Sequence, residues 1–143
     1  MMAKLTRFVA LPTAEQGRTV EAAFYLLAVR AVFGLLPLRR ALQVLGIAKS
    51  AAGRGSVLAP QAELIGRAIE RAARNVPFRA VCLQQAFAAL LMLRRRGLPA
   101  TVQLGLIRDG NELKAHAWSL SGDLPVTGVA HAEGYTAVAA FAA

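Results

Sequence analysis

The sequence is poor in the residues that would mark most specialised classes. One cysteine in 143 residues excludes an internal disulfide, so nothing in the chain asks for an oxidising compartment. Charged residues make up 17%, below the roughly 25% usual for globular domains. With 56% apolar residues, that deficit excludes disorder as the main state. Aromatic residues, at 6%, are too sparse to build the stacking platforms that hold single-stranded nucleic acid. Acidic residues are scarcest among the charges. Eight of them face 17 lysines and arginines, a net charge of +9. Fifteen of those basic residues lie at or before Arg96, on segments that read as helix, so they describe helix surfaces and not a binding tail. The longest greasy stretch, Ala22 to Leu36, is fifteen residues and holds Arg30 and Gly34. A bilayer span takes roughly 20 apolar residues, so this stretch reads as a buried core helix. No secretory signal is visible at the N-terminus, and the expected compartment is the cytoplasm.

What remains is enough apolar residue for one packed domain over residues 1–143. Residues 13–97 carry helical periodicity. Thr13 and Gln16 fit a capping box. Ala22, Leu26, Val29 and Phe33 share a helical face before Pro37 interrupts. Leu38 to Leu45 is a short helix closed by Gly46, and Lys49 to Ser56 is a loose Gly/Ala/Ser connection. Pro60 suits the first turn of the next helix, with Leu64, Ala68 and Ala72 inward and Arg67, Glu70, Arg71 and Arg74 outward. Asn75-Val76-Pro77 stops it. The helix from about Cys82 to Arg96 is apolar nearly all round and therefore buried. Its last turn, Arg94-Arg95-Arg96, is a solvated end that complements the helix dipole.

After Ala100 the period changes to two. Thr101 to Ile107 alternates, Asp109-Gly110 is a hairpin turn, and Leu113 to Leu120 is the return strand. Leu124 to Thr127 and Tyr135 to Phe141 add further strands, so residues 100–141 read as an antiparallel meander. The fold class is α+β: a helical N-terminal half packed on a C-terminal antiparallel sheet.

The rare residues locate the chemistry. Cys82, the lone cysteine, falls where a helix begins. Helix N-termini offer partial positive charge and free N–H groups, which favour a thiolate and can cradle an oxyanion. His116 sits mid-strand on the return arm of the hairpin. A thiol and an imidazole so placed are the parts of a nucleophile and its general base. The rest is negative. His131 lies in an Ala/Gly stretch and reads as solvated, Gly53-Arg54-Gly55 is too short for a phosphate loop, and one cysteine with two histidines makes no metal set. No cofactor is implied.

Two stretches sharpen the reading. Pro77-Phe78-Arg79-Ala80-Val81-Cys82-Leu83-Gln84-Gln85-Ala86 runs on through Leu90-Leu91-Met92-Leu93-Arg94-Arg95-Arg96-Gly97-Leu98-Pro99. The second is Ala115-His116-Ala117-Trp118, reached after Leu104-Gly105-Leu106 and followed by Val126-Thr127-Gly128. Together, over about residues 77–141, they resemble the B2 proteins of lasso-peptide biosynthesis, a transglutaminase-like family of leader peptidases. The resemblance implies a transglutaminase- or papain-like cysteine peptidase core. It implies removal of the leader from a ribosomally made precursor peptide, with Cys82 as nucleophile and His116 as base. The partners it implies are the precursor leader peptide, a separate leader-recognition (B1-type) protein, and an asparagine-synthetase-like enzyme that closes the lactam.

The family often carries an acidic residue about a dozen positions beyond the histidine, where this chain has Thr127-Gly128. Asp123 is then the candidate third catalytic residue, since only Asp123 and Glu133 are acidic after His116. Glu133, a backbone carbonyl or a Gln side chain are the alternatives. The Cys82 backbone N–H is the natural oxyanion donor. Asn75 is a candidate helper, Gln84 and Gln85 read as packed or solvated, and Arg79 reads as an exposed loop residue. Two other functions fit the same residues: acyl transfer to an amine on the Cys82/His116 site, or a non-catalytic basic module that binds a partner.

Overall fold

The structure, a computed structural model, describes residues 2–50 and 59–142. Five helices come before most of the sheet: α1 (Met2–Val9), α2 (Thr13–Leu35), α3 (Leu38–Leu45), α4 (Ala59–Asn75) and α5 (Cys82–Arg95). A two-residue strand, β1 (Ala48–Lys49), precedes α4. The long strands β2 (Thr101–Asp109), β3 (Glu112–Ser121), β4 (Leu124–Thr127) and β5 (Thr136–Ala142) follow α5, with a 3-10 turn at Val129–His131. The fold is α+β. Most of the expected loose connection, residues 51–56, lies outside the described residues.

α5 is the hub. A helix with apolar residues on every side has no solvent face to keep, and Ala86 through Leu93 are buried without interruption. It packs against α2 and α4 on one side and against β3 and β4 on the other. The buried stripe of α2 is Thr19, Ala22, Leu26 and Val29, with Phe33 edge-on to Phe87 of α5 at 5.2 Å. Phe87 also meets Phe141 of β5 at 5.8 Å, so one ring ties helix layer and sheet together.

Three features differ from the sequence reading. Thr13 does not cap α2: its N-cap is Pro12, with no side-chain hydrogen bond. Gln16 instead donates its amide to the carbonyls of Phe8, Val9 and Leu11. The first two belong to the end of α1, a helix the residue pattern did not reveal, and the third to the turn that follows it. The arginine run is not simply solvated. Arg96 binds Glu21 of α2 through both carboxylate oxygens, at 2.7 and 2.8 Å, Arg95 reaches the same carboxylate, and Arg94 donates to the Leu45 and Gly46 carbonyls behind α3. Finally, the sheet is not a meander. Its order is β1-β5-β2-β3-β4, all antiparallel, because β5 crosses back to pair with β2. That crossing puts Phe141 opposite Val102 over Phe87, where its apolar surface is buried. β4 is left as an edge strand, held to β3 by a buried hydroxyl pair, Ser119 to Thr127 at 2.7 Å.

Candidate active site

Cys82 is the first residue of α5 and is half-buried. The segment that delivers it is pinned twice. The Arg30 guanidinium lies 4.8 Å from the centre of the Phe78 ring, and the Gln85 side-chain amide donates to the Ala80 carbonyl at 2.9 Å. The N-cap, Val81, has an apolar side chain and makes no capping bond. The first helical bond of α5 runs from Gln85 N–H to the Val81 carbonyl, so the amides of its first turn before Gln85 are not spent inside the helix. Those groups, beside the thiol, are what a developing oxyanion needs.

His116 comes from the middle of β3, opposite Gly105 of β2. Its Nε2 lies 2.7 Å from the carbonyl oxygen of Gly128, just past β4. A carbonyl only accepts hydrogen bonds, so Nε2 carries the proton, and in the neutral ring the Nδ1 lone pair is the free base. The contact requires glycine at 128. Its φ is +70°, and a Cβ there would lie 2.8 Å from the Ala117 carbonyl oxygen and 3.1 Å from His116 Nε2. Aromatic rings frame the imidazole: Trp118 stacks at 5.9 Å, Tyr135 tilts at 5.5 Å, and His131 stands edge-on at 6.4 Å. Trp118 is fixed by its indole N–H to Gln103 at 2.8 Å, and it lies over bare Gly105, where a Cβ would come within 2.6 Å of the ring.

Cys82 and His116 line one cleft of about 230 Å³, together with Glu70, Gln85, Ala117, Thr127, Gly128 and His131. The other residues singled out in the sequence fall elsewhere. Asp123 is exposed in the turn between β3 and β4, beyond Ser121. Ser121 is already five residues along β3 from His116, roughly 17 Å of extended chain at about 3.4 Å per residue. The structure does not bring Asp123 to the ring, and the orienting contact belongs to the Gly128 carbonyl. Glu133 is also exposed and does not line the cleft. Asn75 donates to the Arg71 carbonyl and Arg79 is exposed; neither lines the cleft. Gln85 does line it, where the sequence pointed to packing or solvent.

Sequence reasoning missed two members. Glu70 belongs to the outward face of α4, and that face overlooks the cleft because Gly66, one turn earlier, lets the helix approach β4 closely. His131 is exposed yet stands on the cleft wall, carried there by the 3-10 turn after Gly128. Among the described residues, no group of three or more His, Cys, Asp or Glu side chains could hold a metal ion, and no helix is long and apolar enough to cross a membrane.

A thiol at an uncapped helix start, an imidazole whose basic nitrogen is set by a carbonyl, and free amides alongside constitute the parts of an acyl-transfer site. Residues 23–140 match the family described as the Transglutaminase-like superfamily. No curated protein and no solved structure matches the chain.

Proposed function

This chain belongs to the transglutaminase-like superfamily, and from that premise we propose that it is a cysteine peptidase that cuts the leader from a ribosomally made lasso precursor peptide. The observation that carries the chemistry is the cleft shared by Cys82 and His116, with His116 Nε2 held by the Gly128 carbonyl. The resemblance of residues 77–99 and 115–118 to leader peptidases supplies the substrate class.

In this reading His116 Nδ1 takes the thiol proton and the Cys82 sulfur attacks the carbonyl carbon at the leader–core junction. The oxyanion faces the first-turn amides of α5. The imidazolium returns the proton to the departing amine as the C–N bond breaks, which frees the core. The leader remains as a thioester on Cys82. Water, deprotonated by the same imidazole, attacks the thioester and releases the leader acid and the thiol. The Gly128 carbonyl holds the ring throughout. A separate recognition protein would present the leader, and a lactam-forming enzyme would consume the freed core, all in the cytoplasm.

The test is cleavage of a precursor peptide in the presence of its leader-recognition protein, read by mass spectrometry. A single cut at the leader–core junction, lost in Cys82→Ala and in His116→Ala, is the expected result. An intact precursor bound by its partner, or a cut that survives Cys82→Ala, overturns the reading. A product extended by an added amine in place of water would move the chain to acyl transfer.

A further inference from the structure

The cleft does not end at the catalytic pair. A second concavity of about 490 Å³ runs between α4 and the edge strand β4. Its helix wall includes Ala62, Gly66 and Glu70, and its strand wall is Leu124, Pro125 and Val126. Glu70 lines both concavities, and Val126 of the groove is followed directly by Thr127 of the cleft. The two concavities therefore adjoin at Glu70, a short arm at Cys82 and a long arm along α4.

The charges along the two arms are unequal. Arg67 and Glu63 on its helix wall neutralise each other through a 2.6 Å ion pair. Glu70 has no hydrogen bond or ion pair among the described residues. In a protein of net charge +9, a carboxylate without a partner among the described residues, on the wall of the cleft that holds Cys82, is the local exception. Long-range repulsion disfavours cations near this surface, so a carboxylate there acts over short range, on a group already bound.

Resting on the cysteine acyl-transfer reading, we propose that the α4–β4 groove holds the acyl half of a peptide substrate and that Glu70 selects a lysine or arginine next to the reacting carbonyl. The acyl half stays on the enzyme through both chemical steps, which is why the long arm is assigned to it. The groove offers about 490 Å³ for that half of the chain, over the close contact of Gly66 with Val126. A guanidinium or ammonium at the junction meets Glu70 as the peptide displaces water, where a charge-assisted hydrogen bond gains strength.

Peptidyl chloromethyl ketones test this with the whole chain. In each, only the residue preceding the ketone is varied among Lys, Arg, Leu and Glu. Cys82 sulfur displaces chloride to form a thioether, and intact-mass spectrometry follows the adduct. The Lys and Arg probes are expected to label Cys82 about five- to tenfold faster than the Leu probe, and the Glu probe slowest. Glu70→Gln is expected to bring the four rates within about twofold of one another, and Glu70→Arg to make the Glu probe fastest. Equal labelling by all four probes in the natural sequence, or a cation preference that survives Glu70→Gln, overturns the proposal. The catalytic reading fails separately: labelling of Cys82 that is no faster than in His116→Ala removes the base and not the selectivity. Glu70 is exposed, so its variants are expected to fold, and thermal melts confirm it.

Discussion

The role proposed for His116 rests on a backbone atom. Nε2 is spent on the Gly128 carbonyl, which leaves Nδ1 as the base, and that arrangement survives only if residue 128 lacks a Cβ. Gly128→Ala meets both a left-handed φ, costing about 1–2 kcal/mol in an L-residue, and a backbone oxygen at 2.8 Å. The expected result is a fall in turnover of about tenfold or more, since small displacements of a base carry large rate penalties. Asp123→Asn, in an exposed turn remote from the ring, is expected to leave the rate within about twofold, as surface changes usually do. A side-by-side rate comparison of the two variants checks the assignment, and a large loss in Asp123→Asn with none in Gly128→Ala would reverse it. The two residues that meet in the cleft, Cys82 and His116, were singled out in the sequence because one is the lone cysteine at a helix start and the other sits mid-strand in a distinctive motif. The orienting group was not legible, because any residue type supplies a carbonyl. The Thr127-Gly128 pair, standing where an acid was expected, was the available trace of it.

At the scale of elements, two contacts fix how α2 and α4 pack on their neighbours. Glu21 holds α2 to the end of α5 through Arg96 and Arg95. The hydrogen bonds from Arg96 hold its carboxyl below the ordinary 4.5, against the opposing effect of burial. A depressed folded-state value means that the stabilisation is complete above the ordinary value and is lost as pH falls through the depressed one. Stability is therefore expected to drop as pH falls below about 4.5, and Glu21→Gln to flatten that part of the curve while lowering stability near neutral pH by about 1.5–3 kcal/mol. Denaturant melts across the acid range measure both effects. The second contact is Gly66 against β4. Alanine there would improve helix propensity by about 0.8–1 kcal/mol, yet its Cβ would sit 2.5 Å from the Val126 carbonyl oxygen. The clash is with backbone, so it dominates. Gly66→Ala is expected to lower the melting temperature, and an unchanged or higher value would show that α4 has room to retreat. Helices α2 to α5 were readable from their periodicity and breakers. Helix α1 was not, because its end is satisfied by Gln16 from the next helix.

Across the whole molecule, the sequence period distinguished the helical half from the sheet but not the order of the strands. The Asp109-Gly110 turn fixes the β2–β3 hairpin locally, whereas β5 chooses β2 by long-range packing of Phe141 on Phe87, which leaves no short-range signal. Glu70 was hidden for a related reason. An outward position on α4 becomes a groove wall only once β4 has docked beside it. The central claim, that Cys82 and His116 form one acyl-transfer pair, can be tested without knowing any peptide sequence. p-Nitrophenyl acetate transfers its acetyl group to a competent thiolate, breaking the ester C–O bond, forming an S–C bond and releasing p-nitrophenolate. Intact-mass spectrometry of the full chain then reads the thioester on Cys82. The account predicts acetylation of Cys82 that is slowed by about 100-fold in His116→Ala, the scale of general-base assistance. Acetylation at equal rates in both proteins, or none on Cys82, would contradict it and make Cys82 a packing residue.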